Sequence, residues 1–310
     1  MKYVVSGYIG FDNFGDEAIA KILSQKLKSE GAEKITIISS NPEKTSDNLG
    51  VCSCGMLKFL PSIIESDVLI SGGGSLLQDA TSFKSLVYYL AVIYSALIFG
   101  KKVEIFAQGI GPIKSKLGQF LTKFALKRAL KITVRDEKSQ ELLKSWKIGS
   151  ELVKDPVLEL ELPQKNSRGT VGIQLRNYKG VDDSFLQKLA DEVCKRFADK
   201  KIIILPLQKS IDTEVSEKFA QILREKGINN ISILEKTSLT DVIDAISDLE
   251  YLIAMRFHAN IVGIKAGVKT LAINYDPKVE KLASEYNLPL INLDDKDFSE
   301  EFERLCLPLN

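Results

Sequence analysis

Arg256 and His258 stand two residues apart in the run 250–267, EYLIAMRFHANIVGIKAG. An apolar, strand-like run leads into them and a small, apolar helical stretch begins near Ala259, which puts both side chains on a strand-to-helix turn. A helix start offers free N–H groups and the positive end of its dipole, so an arginine beside it makes an anion site. His258 is the only histidine of the chain, and histidine is the residue type that ordinarily exchanges a proton near neutral pH. The plainer alternative is a histidine that satisfies its own turn and an arginine paired with a surface carboxylate.

Two glycine-rich turns in the first half suit close approach of a ligand to the backbone. In SDVLISGGGSLLQD, residues 66–79, an apolar run meets three glycines, of which Gly73 and Gly74 lie at the turn; they cradle an anion or a sugar, or simply allow tight packing. In SGYIGFDNFGDE, residues 6–17, the glycines do not follow the G-x-G-x-x-G dinucleotide spacing. Asp16 and Glu17 at the coming helix start would repel a phosphate there. Asn13 and Asp16 are therefore expected to meet sugar hydroxyls or to cap the helix. No G-x-x-x-x-G-K-[ST] phosphate loop occurs.

Weaker candidates follow other strand-like runs: Arg176 in VGIQLRNYKG, Gln208 with Asp212 beyond it in LPLQKSID, and Tyr275 with Lys278 in NYDPKV. Together Arg176, Arg256 and Lys278 could form one electropositive pocket. The cysteines at 52, 54, 194 and 306 lack zinc-ligand spacing and are read as reduced thiols, and no metal is expected.

The elements that must hold these residues alternate throughout. Strand-like runs fall at 3–6, 34–39, 67–71, 103–107, 131–134 and 151–153, and the alternation restarts at 171–175, 202–205, 231–234, 251–254, 270–273 and 289–292. Helical patterns lie between several of them, at 16–30 with Gly31 as a stop, 117–130 and 137–146. The pattern predicts an α/β protein of two Rossmann-like, doubly wound domains, 1–160 and 168–310, facing a cleft. The boundary is placed in 155–169, with its two prolines and polar run KNSRG. Ligands of such sheets bind at the carboxyl ends of the strands.

With 42 basic and 41 acidic residues, the composition is that of a soluble enzyme and offers no nucleic-acid surface or membrane-binding face. The most apolar stretch, 86–99, is too short to span a bilayer and is read as a buried core helix that could also join a homo-oligomer interface. The start of the sequence lacks the pattern of an export signal, so the expected location is the cytoplasm, with at most transient contact at the inner membrane surface and no stable insertion.

Taken in order, GYIGFDNFGDEAI, SGGGSLLQD, AQGIGP, VRDEKS, KDP, LPLQKSID, MRFHANI and INYDPKV resemble the polysaccharide pyruvyl transferase family, especially its bacterial CsaB-like branch. The family commonly has leucine where this chain has Phe257 and Asn260. The resemblance implies a GT-B-like fold, phosphoenolpyruvate as donor substrate with no cofactor, and a pyruvate ketal on a sugar as product. The implied acceptor is a sugar or lipid-linked glycan, with N-acetylmannosamine in a cell-wall polymer precursor that helps retain S-layer proteins. Arg256 and His258 match the family's donor-binding and catalytic motif, and Arg176 matches a donor-binding position. The donor site is then expected to hold Arg176, Gln208, Arg256 and Lys278 in the second domain, and the acceptor site Asn13, Asp16, Gly73 and Gly74 in the first. Two rival readings remain at this level: a GT-B glycosyltransferase using a nucleotide sugar, and a non-catalytic glycan-binding protein.

Overall fold

The computed structural model describes residues 1–80, 82–163 and 169–307. Residues 164–168 of the expected boundary, which include the starting residue 168 of the expected second domain, and residues 308–310 lie outside the described residues. The chain divides into two compact units, Met1–Leu160 and Glu161–Asn310.

The first unit is built on seven parallel strands: Lys2–Ser6 (β1), Lys34–Ser39 (β2), Cys52–Gly55 (β3), Val68–Gly72 (β4), Lys102–Gln108 (β5), Lys131–Val134 (β6) and Glu151–Leu152 (β7). Their order across the sheet is β3-β2-β1-β4-β5-β6-β7. The central strands are covered on both faces, which is why KITIIS and VLISG read as nearly unbroken apolar runs. Val5 pairs with Ile37 on one side and Ile70 on the other. Six helices connect these strands: Phe14–Ser29 (α1), Pro42–Leu49 (α2), Leu60–Glu65 (α3), Phe83–Ile98 (α4), Lys116–Leu126 (α5) and Glu137–Ser145 (α6).

The second unit has six parallel strands: Thr170–Gln174 (β8), Lys201–Ile204 (β9), Ile231–Ile233 (β10), Tyr251–Ala254 (β11), Lys269–Asn274 (β12) and Leu290–Asn292 (β13). Their order is β10-β9-β8-β11-β12-β13. Its helices are Asp183–Phe197 (α7), Lys209–Glu225 (α8), Leu239–Ser247 (α9), Phe257–Lys265 (α10), Pro277–Glu285 (α11) and Ser299–Cys306 (α12). In each sheet the strand order reverses once, between β1 and β4 and between β8 and β11. Such switch points open a crevice at the carboxyl ends of the strands.

Three sequence expectations change. Strand β3 had no periodic signal, because Cys-Ser-Cys-Gly at a sheet edge carries neither alternation nor large apolar residues. Helix α5 ends at Leu126 rather than at 130: the Arg128 and Ala129 amides turn back to Ala125 and Leu126, and the Leu130 amide donates to Val103 as the chain heads into β6. Helix α4 buries Leu86, Tyr89, Leu90, Val92, Ile93 and Ala96 but leaves Val87 and Ile98 exposed, so one face is core and the other is not. No helix among the described residues is long and apolar enough to cross a membrane.

Two of the sequence motifs act on the frame of the first unit. Arg135, just after β6, donates through Nη1 to Asp155 Oδ2 at 2.7 Å, with both side chains buried. Asp155 also accepts the Val157 amide at 3.0 Å. The pair ties the segment before Leu160 to the end of β6.

Candidate functional site

At the β8/β11 switch point, Gln174 and Ala254 are register partners. Gln174 is wholly buried; its Oε1 accepts the Arg256 amide at 2.7 Å, and its Nε2 donates to the Leu175 carbonyl at 2.8 Å and to Asp212 Oδ2 at 3.3 Å. Asp212, on the first turn of α8, is wholly buried too. It accepts the Gln208 amide at 2.9 Å and two bonds from the Arg256 guanidinium, Nε to Oδ2 at 2.7 Å and Nη2 to Oδ1 at 2.6 Å. Arg256 Nη2 also donates to Gln208 Oε1 at 3.1 Å. One edge of the guanidinium is thus locked in a bidentate pair, while Nη1 carries no hydrogen bond among the described residues.

The turn itself is held from below. Arg256 is the N-cap residue of α10 in an extended conformation, so the helix begins at Phe257, two residues before the expected start. Asn260 Nδ2 donates to the carbonyls of Ala254 and Arg256, both at 3.1 Å. His258 is half-buried on the first turn of α10, and its ring lies edge-on to Phe257 with centroids 5.2 Å apart. Phe257 packs against the small cluster of Ala272, Val279 and Ala283.

Arg176 comes two residues after β8. Its amide donates to Met255 Sδ at 3.2 Å, and its guanidinium carbon sits 5.5 Å from the centre of the Tyr275 ring. The Nε of Arg176 is buried without a hydrogen-bond partner among the described residues. Tyr275 follows β12, and burial raises its phenol above the ordinary range, opposed by the Arg176 and Arg256 cations nearby. The carboxyl ends of β8, β11 and β12 therefore gather two guanidinium groups and a tyrosine. Lys278 occupies the first turn of α11, where Asp276 accepts its amide at 3.0 Å. Asn177 and Lys209, chain neighbours of Arg176 and Gln208, border an open hollow of about 520 Å³ in this unit.

The corresponding crevice of the first unit lies at the β1/β4 switch point. Gly73 and Gly74 have φ of +71° and +65°. A Cβ at Gly73 would stand 2.5 Å from Ile19 Cγ2, and one at Gly74 would stand 2.6 Å from Asp16 Oδ1. The glycines thus let the first turn of α1 press directly on the backbone after β4, with the Asp16 carboxylate against it. Asn13 is the N-cap of α1, accepting the Gly15 amide at 3.1 Å. Glu17 Oε1 accepts the Gly10 amide at 2.7 Å. Burial raises the Glu17 carboxyl to about 7; the Gly10 bond and Lys44 oppose this, while Asp16 and Asp12 add to it. Tyr8 stacks on Phe11 with ring centroids 4.2 Å apart.

The AQGIGP motif backs this crevice: the Gly73 amide donates to Phe106 and the Gly109 amide to Gly74, both at 2.9 Å. The Ile110 amide donates to Ser139 Oγ at 2.7 Å, linking it to VRDEKS.

Of the residues singled out in the sequence, Arg176, Gln208 and Arg256 come together, with His258 on the turn that Arg256 caps. Gln208 points its side-chain oxygen at Arg256, so it orients the cation. Asp16, Gly73 and Gly74 also form one cluster, with Asn13 engaged in capping beside it. Gln174 and Glu17 were missed as site residues, and Asp212 was noted without a role. The one legible signal was the spacing of Asp212, four residues after Gln208 and so one helical turn on. Among the described residues no group of three His, Cys, Asp or Glu side chains suits a metal, and the four cysteines are free thiols.

A family model described as polysaccharide pyruvyl transferase matches residues 13–277. No curated protein matches the chain in sequence. In fold the chain is similar to UDP-GlcNAc 2-epimerase from Methanocaldococcus jannaschii, with a TM-score of 0.65 at 12% identity over 98% of this chain and 90% of that one. It is similar to the Neisseria meningitidis UDP-GlcNAc 2-epimerase bound to UDP-GlcNAc, with a TM-score of 0.63 at 11% identity over 98% and 91%. The Anabaena protein HepE in complex with UDP and glucose gives 0.64 at 11% identity over 98% and 89%. These likenesses establish a GT-B-like fold of two Rossmann-like domains.

Proposed function

The chain belongs to the polysaccharide pyruvyl transferase family, and from that premise we propose that it moves pyruvate from phosphoenolpyruvate onto two hydroxyls of a sugar, forming a ketal and releasing phosphate. The donor is assigned to the strand ends of the second unit and the acceptor to the glycine turns of the first. The acceptor proposed is N-acetylmannosamine in a lipid-linked cell-wall polymer precursor, modified in the cytoplasm.

The observation that carries this reading is the half-locked guanidinium. Phosphoenolpyruvate bears a phosphate and a carboxylate, so its site needs at least two cationic contacts. Arg256, with one edge fixed on Asp212 and Nη1 unengaged, and Arg176, with its buried Nε unengaged, supply two directed donors. Both are preorganised by their neighbours, which is the condition for stabilising a charge that develops in the reaction.

In the reaction the methylene carbon gains a proton and becomes methyl, and one sugar hydroxyl adds to the neighbouring carbon. The second hydroxyl then displaces phosphate. Of the two hydroxyl protons released, one balances the methyl group and the other leaves with phosphate. His258 is the proton-transfer group, and Arg256 and Arg176 hold the anionic ends of the donor. On the acceptor side Asp16 suits hydroxyls rather than phosphates, because a carboxylate accepts from a hydroxyl and repels an anion.

A nucleotide-sugar donor is the competing reading, favoured by the UDP complexes among proteins of similar fold. Phosphate release from phosphoenolpyruvate and UDP release from UDP-sugars, measured with aryl-tagged and lipid-linked glycans, separate the two. His258→Ala is expected to lower phosphate release by about 10²–10⁴-fold while leaving the unfolding midpoint unchanged. Wild-type turnover in that variant would remove His258 from the chemistry, and UDP release without phosphate release would move the chain to the competing reaction.

A further inference from the structure

Residues 113–134 carry six basic side chains (Lys114, Lys116, Lys123, Lys127, Arg128 and Lys131) and no acidic one, in a chain whose totals are 42 and 41. Helix α5 lies within this run and is oriented unusually for a core helix. It turns Gly118, Thr122 and Ala125 inward, and Gly118 is needed there because a Cβ would come within 3.0 Å of Leu86 Cδ2. Leu126 is buried and Leu121 packs against the core, but three large apolar residues point outward: Leu117 is 59% exposed and Phe120 64%, with Phe124 also exposed. Spacings of three and four place these side chains on one face.

The apolar strip continues onto α4. Phe124 packs at a tilt against Phe120 and stacks on Tyr94, with centroids 6.4 and 6.1 Å apart, and Tyr94 donates to the Leu121 carbonyl at 2.8 Å. One turn beyond Tyr94, Ile98 is 78% exposed. Arg128 lies over the Phe124 ring at 3.5 Å, and Lys114, Lys116, Lys123 and Lys127 enter no ion pair among the described residues.

We propose that the outer face of α4 and α5 docks the protein on the surface of a bilayer rich in anionic lipid. The aromatic and aliphatic side chains would sit at the headgroup–acyl boundary, with the lysine stems reaching out to phosphates on either side. The charge pattern selects this occupant. A two-fold dimer through the same face would set these cations against their own copies, whereas anionic lipid attracts each of them. Docking there is peripheral and does not depend on the reaction proposed above.

The test is flotation of the full-length protein with vesicles of phosphatidylglycerol and phosphatidylcholine, and with phosphatidylcholine alone. Binding is expected only with the anionic vesicles and is expected to weaken as salt rises. Leu117→Asp with Phe120→Asp should reduce it at least tenfold, and Lys116→Gln with Lys127→Gln by about fivefold per charge removed. Unfolding midpoints check that these variants fold. Phe120→Trp gives a second readout that keeps the helix face apolar: its emission should shift to the blue and be quenched by brominated lipid. Absence of binding to anionic vesicles, binding unaffected by both sets of substitutions, or an unmoved Trp emission would each overturn the proposal. So would self-association that Phe120→Asp abolishes in a protein that ignores vesicles.

Discussion

Asp212 grips the Arg256 guanidinium along one edge, at 2.7 Å to Nε and 2.6 Å to Nη2, and both partners are buried at the β8/β11 switch point. A single arginine is thereby divided into a structural edge and a reactive one. Asp212→Asn removes the charge that compensates the buried cation, and breaking one side of such a pair costs about 3–5 kcal/mol. Urea unfolding should show that loss, and phosphate release from phosphoenolpyruvate should fall at least tenfold because the guanidinium loses its fixed direction. An unchanged urea midpoint would mean that Asp212 does not anchor Arg256.

Arg176 is expected to act on binding more than on turnover. Its Nε is an unfilled buried donor, and a hydrogen bond to a charged group contributes about 1.5–3 kcal/mol. Arg176→Ala should therefore raise KM for phosphoenolpyruvate by about 10- to 100-fold, with a smaller change in kcat. Steady-state kinetics separate the two constants. A fall in kcat at constant KM would place Arg176 outside the ground-state donor site.

Gly74→Ala tests the contact between the glycine turn and α1. The new methyl would stand 2.6 Å from Asp16 Oδ1 on a backbone at φ +65°, and overpacking of this kind costs about 1–3 kcal/mol. Gly31→Ala is the matched control, since φ there is +79° but nothing lies within 4 Å of the added carbon. Thermal unfolding should rank Gly74→Ala below Gly31→Ala. Equal midpoints would show that α1 moves away without cost.

Glu17 gives a pH dependence with a definite sign. Its carboxyl titrates near 7 in the fold against 4.5 as an ordinary glutamate, so between those values the folded chain holds the proton that the unfolded chain has released. Its contribution to stability is complete below pH 4.5 and is lost as pH rises to about 7. The melting temperature of the wild type should fall relative to that of Glu17→Gln across this window and run parallel to it above. A constant difference from pH 4.5 to 8 would refute the shift.

Both sheets were legible because parallel strands covered on both faces must be written as apolar runs, and VLISG and YLIA are such runs. Strand β3 was not legible, since an edge strand of small residues has no such obligation. The Arg256 turn could be found from its residue types and its place after a strand. The network beneath it could not: Gln174 is buried inside β8 and looks like any strand residue until the fold brings it beside Asp212 and Arg256. Whole-chain charge also concealed the basic face of α5, because an even total says nothing about where the charges collect.

The buried link between Arg135 and Asp155 bears on where the molecule can be cut. Val157 is fully enclosed and Leu160 nearly so, which makes the 155–160 stretch part of the first unit's own interior rather than spare connecting chain. An excised fragment that stops near residue 150 would lose the carboxylate that neutralises Arg135 and leave its core open. A fragment carried through to Leu160 retains Arg135, Asp155 and the Val157 amide together, and is the shorter piece to express when the glycine turns are to be studied in isolation.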